Sequence, residues 1–408
     1  MDASQDIVAL RARYVFPVIG PPIEGGIVTV RGQQFVAVGT TSDVPPIDLG
    51  NVAIVPGFVN AHTHLEFSDL ERPLGEPGEP LPKWIRRVIA YRRDQAPDPA
   101  LAIQRGLHES LASGTTTLGD IFTSGWLPSM RPVPNVVLFR ELLGLGPEQV
   151  APLEGLAEAH LLDAWDEDRI LPGLSPHAPY SVHGELLVLA SVLAAKYDVP
   201  LAMHLAESAE EIELLATGLG PFRELLEELH VWQDDVIPIG TGPIDFLRAL
   251  VDVRRALIVH GNYLDDEAIK FLAEYRHRFA VVYCPRTHAY FKHAPYPLHA
   301  MWSAGVTMCV GTDSRASNPD LSLFEELRFI VEHHPQIAPR EVLRFATFNG
   351  AQMLGDATEF GVLQPGAYAN FAMIGLPDRT ALDPHELLFT PEAQVTQTWW
   401  RGRRQCSV

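Results

Sequence analysis

The run Ala53-Ile-Val-Pro-Gly-Phe-Val-Asn-Ala-His-Thr-His64 carries the fold in miniature: a short apolar stretch that ends abruptly in two histidines. A run of this length, bounded by polar residues, is the pattern of a buried strand whose C-terminal end opens on a polar site. Residues two apart on an extended strand project to one side, so His62 and His64 point together. Neutral imidazole is a common ligand of zinc and iron. By itself the pair also fits a solvated His-x-His at a strand end, since a metal site takes three or four protein ligands.

The same design recurs along the chain. Apolar runs end at Thr117-Leu-Gly-Asp120, Val136-Val-Leu-Phe-Arg-Glu141, Leu174-Ser-Pro-His177, Leu201-Ala-Met-His204, Leu257-Ile-Val-His260, Val281-Val-Tyr-Cys-Pro285 and Met308-Cys-Val-Gly-Thr-Asp313. Helical patterns such as Ala100–Leu111 and Glu185–Ala195 lie between them. Eight strands alternating with helices predict an α/β protein, a (β/α)8 TIM barrel over residues 56–361, with functional groups at the C-terminal ends of the strands. Segment 71–80 is rich in Pro, Gly and Glu, and 217–245 mixes helix with Gly and Pro; both read as loops or insertions over that face. Short β-prone runs between Ile7 and Gly39 read as a small antiparallel sheet, and similar runs return at Asn370–Gly375 and Gln394–Trp400. The two termini, 1–55 and 362–408, are therefore expected to form one composite β-sandwich module.

Composition narrows the partners. The 408 residues are 47% hydrophobic, and no apolar run approaches the roughly 18 residues of a membrane span. The start, Met1-Asp-Ala-Ser-Gln-Asp6, lacks the basic and apolar pattern of a secretory signal, so the expectation is a cytoplasmic protein. A formal charge of −20, from 31 Lys and Arg against 51 Asp and Glu, opposes a phosphate backbone and argues against nucleic acid. A small-molecule substrate is the expected partner, and a homo-oligomer is left open. Cys284, Cys309 and Cys406 form no disulfide framework or CxxC motif. P-loop, dinucleotide glycine and Gly-x-Ser-x-Gly signatures are absent.

Further metal-competent groups close later strands: His204 on the fifth, His260 on the sixth and Asp313 on the eighth. A single histidine at a strand end is usually structural; successive ones at the same end of a barrel point to a metal site with nitrogen and oxygen ligands. Pro56-Gly-Phe-Val-Asn-Ala-His-Thr-His64, His204-Leu-Ala-Glu207, His260 and Gly311-Thr-Asp313, followed by Ser317-Asn318, resemble the amidohydrolase superfamily. More narrowly they resemble its mononuclear deaminase and chlorohydrolase branch, which includes aminodeoxyfutalosine-type and adenosylhomocysteine-type deaminases and triazine hydrolases. The resemblance extends to Thr347-Phe-Asn-Gly-Ala351 and Leu363-Gln-Pro-Gly366 near the end of the chain.

That resemblance implies His62, His64, His204 and Asp313 as ligands of one divalent metal, Zn2+ first and Fe2+ as the alternative. Glu207, His260 and Asp313 are the implied catalytic groups. A divalent metal lowers the pKa of a bound water toward neutrality. Glu207 could then pass a proton to a departing nitrogen as general acid, although a glutamate opening the acidic stretch Ser208-Ala-Glu-Glu-Ile-Glu213 is also an ordinary helix-start charge. Binuclear relatives use a carboxylated lysine at the fourth strand. Only four lysines occur here, and that strand ends Ser175-Pro-His177 with Lys196 in the following helix, which implies one metal.

His177 and Arg140 match substrate-contacting positions of the resembling deaminases, with ordinary hydrogen bonding and an ion pair to Glu141 as the alternative. Trp84 and His288 are the other expected substrate contacts, the latter within Arg286-Thr-His288-Ala-Tyr-Phe291, a segment after the seventh strand that reads with His293 as another wall of the pocket, with packing the more common use of such aromatics. Adenosylhomocysteine-type enzymes carry a ribose-binding glutamate shortly after the first-strand tryptophan; Trp84-Ile-Arg-Arg-Val-Ile-Ala-Tyr-Arg-Arg93 offers arginines instead. Guanidinium forks suit carboxylates, which points toward an acidic substrate.

The expected reaction is hydrolytic deamination of an amino-substituted heterocycle, an aminopurine nucleoside of the aminodeoxyfutalosine type of menaquinone synthesis first among them. A triazine or aryl chlorohydrolase is the alternative within the superfamily. Chloride leaves without a proton, so an acid at Glu207 favours carbon–nitrogen cleavage. A non-catalytic barrel scaffold is the alternative of another class; loss of ligands would be its sign, and none is lost.

Overall fold

The computed structural model describes residues 7–95, 97–126, 134–163, 165 and 169–405; Cys406 and the N-terminal Met1–Asp6 lie outside them. Its centre is an eight-stranded parallel sheet in sequence order: β1 (Phe58–Thr63), β2 (Thr115–Phe122), β3 (Asn135–Leu142), β4 (Ile170–Pro176), β5 (Leu201–Leu205), β6 (Ala256–His260), β7 (Phe279–Tyr283) and β8 (Thr307–Val310). The seam between β8 and β1 closes through a parallel bridge of Thr63 with Asp313. There the N–H groups of Thr312 and Asp313 both donate to the His62 carbonyl at 3.1 Å. Closure of the barrel thus sets two expected ligands side by side. This is the (β/α)8 barrel that the strand count predicts.

Alternation along the strands separates two apolar layers. Ala202, Leu257, Val259, Ala280, Val282 and Cys309 fill the barrel interior with Val59 and Phe139, and Met353, Leu354 and Phe360 close its base. Leu201, Met203, Ala256, Ile258, Val281 and Val310 face outward against the helices. Burial on both faces is why these strands read as continuous apolar runs. Outside lie α1 (Leu81–Gln95), α2 (Pro99–Ala112), α3 (Val150–Leu161), α4 (Gly184–Tyr197) and α5 (Ala209–Thr217), followed by further helices. Helix α2 starts where Asp98 accepts from the Ala100 and Leu101 amides, with Pro99 at its first position. Segment 71–80 is a loop, and 217–245 mixes loop with the helix Pro221–Glu228 and the start of Pro243–Ala249, as its sequence reads. Among the described residues, no helix is long and apolar enough to cross a membrane.

The termini build two further sheets. Gln34–Gly39, Ile27–Arg31 and Ile7–Arg11 pair antiparallel, with Ile47–Asp48 added in parallel. The second runs Arg403–Arg404, Gln394–Trp400, Phe371–Gly375, Val52–Pro56, Tyr14–Val15, Ile23–Glu24 and mixes both ends of the chain. Leu10, Val28, Val30 and Phe35 of the first pack with Ile54, Phe371 and Met373 of the second. The stretch Ile7–Gly39 is therefore not one sheet: Tyr14–Val15 and Ile23–Glu24 leave it for the other. Period-2 alternation fixes which face of a strand is buried, not which edge a two-residue strand joins. Val52–Pro56 passes directly into β1 at Gly57, where a Cβ would clash with Thr116.

Candidate metal centre and catalytic site

Strand ends bring His62, His64 and His204 together, each offering a ligand atom within 4.8 Å of the others. In β5, His204 follows the inward alternation of Ala202. In β1 the route is less regular, because the pairing with β2 takes an extra residue between Asn60 and Thr63. Such a bulge re-aims side chains. His64 Nε2 and His204 Nε2 lie 3.4 Å apart, and Asp313 Oδ1 stands 3.6 Å from His62 Nε2 and 3.9 Å from His64 Nε2. Burial, then the neighbouring imidazoles, push His64 and His204 well below the ordinary histidine range, which keeps their lone pairs free. Both ring nitrogens of the fully buried His62 lack a hydrogen-bond partner. Buried polar atoms are rarely left so, and a cation among these donors removes the deficit. The residues present therefore fit a divalent metal.

Asp313 sits at φ +55°, in the left-handed region. Its backbone carbonyl accepts from Thr63 Oγ1 (2.9 Å), and its Oδ2 accepts from Ser317 Oγ (2.8 Å), leaving Oδ1 turned to the histidines. Asn60 reinforces the seam, donating from Nδ2 to Thr312 Oγ1 (2.7 Å) and accepting from the Thr312 amide (3.1 Å). His260 lies outside the donor cluster. Strand alternation alone would send it outward with Ala256 and Ile258; a backbone φ of +69° turns its ring to within 5.8 Å of His62 and 5.4 Å of His204. Its Nε2 lies 3.4 Å from Glu207 Oε1. Burial pushes His260 down to about 3, and burial followed by Asp313 and Glu211 pushes Glu207 well above the ordinary glutamate range. Backbone strain concentrated at such positions is typical of functional sites.

The opposite wall is built from charges. His177, after β4, bonds Ser181 Oγ through Nδ1 (2.6 Å), places Nε2 3.8 Å from Glu141 Oε1, and lies 4.8 Å ring to ring from His204. Arg140 does not make the alternative ion pair with Glu141: its buried Nε has no partner, and its guanidinium lies over the Phe122 ring at 5.2 Å. Consecutive residues of a strand point to opposite faces, which separates the two charges. The arginines after Trp84 are on helix α1, and their directions diverge. Arg86 pairs with Glu228 (2.7 Å), Arg87 with Glu79 (2.6 Å) and Arg93 with Asp94 (2.7 Å). Arg92 alone turns inward, pairing with Glu66 and lying over Phe67 at 4.9 Å. Thr123 Oγ1 donates to the other Glu66 oxygen at 2.8 Å.

The remaining expected contacts stand farther along this face. Trp84 donates Nε1 to the Ala316 carbonyl (3.2 Å) and meets Phe291 edge-on at 5.4 Å. His288 Nε2 bonds the Ala294 carbonyl (3.0 Å), with its ring against Tyr283 and Tyr296. Arg286 is a clamp rather than a pocket wall. It holds Glu326 (2.6 Å) and Asp320 (2.6 Å), and Glu326 with the Thr312 carbonyl holds Asn318. Lys196, on α4, lies over Tyr197 at 4.8 Å, away from the end of β4. Arg92 is one of the arginines expected after Trp84, whereas Glu66, Glu211 and Asn262 are site residues that sequence reasoning missed. Their only signal was proximity to a motif, two to four residues past His64, Glu207 and His260.

A closed barrel with metal-competent histidines at the C-terminal ends of its strands defines the class as a (β/α)8 barrel with a metal-binding site at its catalytic face. The model of the amidohydrolase family matches residues 53–404, and the chain belongs to that family as a hydrolase of carbon–nitrogen bonds. It is 28% identical over 402 residues to a 5-methylthioadenosine/S-adenosylhomocysteine deaminase of Moorella thermoacetica, covering 91% of this chain and 86% of the relative. It is 30% identical over 363 residues to an aminodeoxyfutalosine deaminase of Deinococcus radiodurans, covering 84% of each. The crystal structure of Helicobacter pylori aminofutalosine deaminase in complex with methylthio-coformycin shares the fold, with a TM-score of 0.82, 22% identity and coverage of 98% of this chain and 100% of that one.

Proposed function

We propose that this chain is a mononuclear metal-dependent deaminase that hydrolyses the exocyclic amine of an adenine nucleoside and releases ammonia. The observation that carries the reading is Glu207, a buried carboxyl 3.4 Å from His260 beside the histidine cluster. His62, His64, His204 and Asp313 would hold the metal, with Zn2+ the first choice and Fe2+ the alternative for such a donor set. The metal would acidify the attacking water. The chain's own residues do the rest. Asp313 Oδ1, fixed by Ser317 on its other oxygen, accepts a hydrogen bond from that water. His260, kept neutral by burial, orients it. Glu207 takes the proton that the attacking water gives up and passes it to the departing nitrogen, its burial favouring the protonated form it holds in between, a step that chloride release does not need.

The relatives are named for deaminating 5-methylthioadenosine, S-adenosylhomocysteine and aminodeoxyfutalosine, which supports that class. Within it, the inward-facing Arg92 and the unpartnered Arg140 Nε support a substrate bearing an acidic group, of the aminodeoxyfutalosine type of menaquinone synthesis. The same reading divides the chain into the barrel, 56–361, and a β-module of 1–55 with 362–408. The test is ammonia release from aminodeoxyfutalosine, adenosylhomocysteine, methylthioadenosine and guanine by zinc-loaded protein. Turnover of an adenine nucleoside is expected, with the carboxylate-bearing one preferred; no release from any of the four ends the proposal.

A further inference from the structure

Helix α5 opens with Ser208-Ala-Glu-Glu211, the spacing of a capping box. In that motif the glutamate reaches back to the amide of the capping serine itself. Only half of the box forms. Ser208 Oγ accepts from the Glu211 amide at 3.2 Å, whereas the Glu211 carboxylate lies near the Ser208 amide but makes its direct hydrogen bonds beyond it. Its Oε1 accepts from the Ala206 amide at 2.8 Å and its Oε2 from the Glu207 amide at 2.9 Å. Both oxygens are used, and the side chain is fully buried. In the next peptide along, on the other side of the Glu207 Cα, Asn262 donates from Nδ2 to the Glu207 carbonyl at 2.7 Å. Ala206 is held at φ +54°, a conformation unfavourable to any residue with a Cβ. Its carbonyl accepts from the Tyr263 amide at 3.0 Å, and the Gly261 amide donates to the Leu205 carbonyl at 3.0 Å.

From this geometry we infer that Glu211, with Asn262, is the positioning device for Glu207. It fixes the left-handed turn after β5 so that the Glu207 carboxyl faces His260 rather than solvent at the start of the helix. A cap would need one carboxylate oxygen on Ser208. Gripping two successive amides ahead of the helix instead determines where residue 207 points, because with its own N–H held by Glu211 and its carbonyl by Asn262 the peptides on both sides of its Cα cannot rotate. Asn262, two residues past His260, ties the Glu207 carbonyl to the end of β6 and fixes the separation of the two partners. The inference rests on Glu207 being the proton donor.

A double-mutant cycle tests it. Glu211→Gln keeps the size but leaves one amide facing an NH2 group, so the grip is half lost. In the zinc-loaded enzyme, kcat is expected to fall about tenfold to a hundredfold, with KM within about threefold and metal content unchanged. Placed in a Glu207→Gln background, the same change should cost less than about twofold more, because there is no longer an acid to aim. An equal loss in both backgrounds, unchanged kcat in folded Glu211→Gln, or loss of metal would overturn the positioning role. If Glu207→Gln itself turns over nearly as wild type, the proton-donor reading has failed and takes this inference with it. Should Glu211→Gln not fold, Asn262→Ala gives the second arm, with the same non-additivity expected at smaller amplitude.

Discussion

The two walls of the site are built on different principles. On one, His62, His204, His260, Glu207 and Asp313 hang from strand ends whose backbones are pinned by the β8–β1 seam, the bulge in β1 and the Glu211 grip. On the other, Glu66, Arg92, Arg140 and Glu141 bring two charges of each sign, and Arg92 reaches in from a half-exposed helix. Chemistry needs atoms held to within a fraction of an ångström, which main-chain contacts supply. Recognition needs complementary charge, which long side chains on a replaceable helix can supply and revise.

If that contrast holds, changes on the pinned wall should cost turnover and changes on the charged wall should cost selectivity. His62→Ala or Asp313→Ala removes a metal donor and should abolish both metal retention and measurable ammonia release, read by elemental analysis beside a turnover assay. Glu207→Gln should retain metal and lose about a hundredfold to ten-thousandfold in kcat; near-normal turnover would favour chloride or another leaving group that needs no proton. Arg140→Met should raise KM about tenfold to a hundredfold for a carboxylate-bearing nucleoside, with methylthioadenosine little affected. An equal effect on both substrates would make Arg140 structural.

The smallest effect lies at the base of α1. Glu79, from the 71–80 loop, is held down at about 2 by its hydrogen bonds to Arg87 and Lys83 and their charges, against the cost of its burial. A lowered folded-state pKa gives stability that is present above the unfolded value and lost as pH falls through the window from the ordinary glutamate range toward 2. Because both cations are solvent-exposed, Glu79→Gln should lower the melting temperature at pH 7 by only about 1–3 °C. The difference should shrink below pH 4. A constant difference across that range would mean the loss is packing rather than charge.

How much was legible beforehand follows the same divide. The barrel could be read because both faces of its strands are buried, so each appears as an apolar run with a polar residue where it ends. His62, His64, His204 and Asp313 were readable as candidates on those grounds, and the structure gathers their donor atoms. Arg86, Arg87, Arg92 and Arg93 were not separable: four arginines on one helix share composition but not direction, and each took the nearest carboxylate. Arg286 looked like part of the pocket from its position after β7, yet Glu326 and Asp320, which claim it, come more than thirty residues later.

The sequence by itself determined the strand-and-helix alternation, the apolar layers and the residue types available at each strand end, since all of these depend on periodicity and local burial. Only the tertiary structure decided which groups meet. His260 turns inward because of its left-handed backbone, Asp313 presents one oxygen because Ser317 holds the other, and Glu211 grips amides instead of capping its helix. Each of these is set by hydrogen bonds that form only when separate turns are packed together, and no spacing along the chain encodes them.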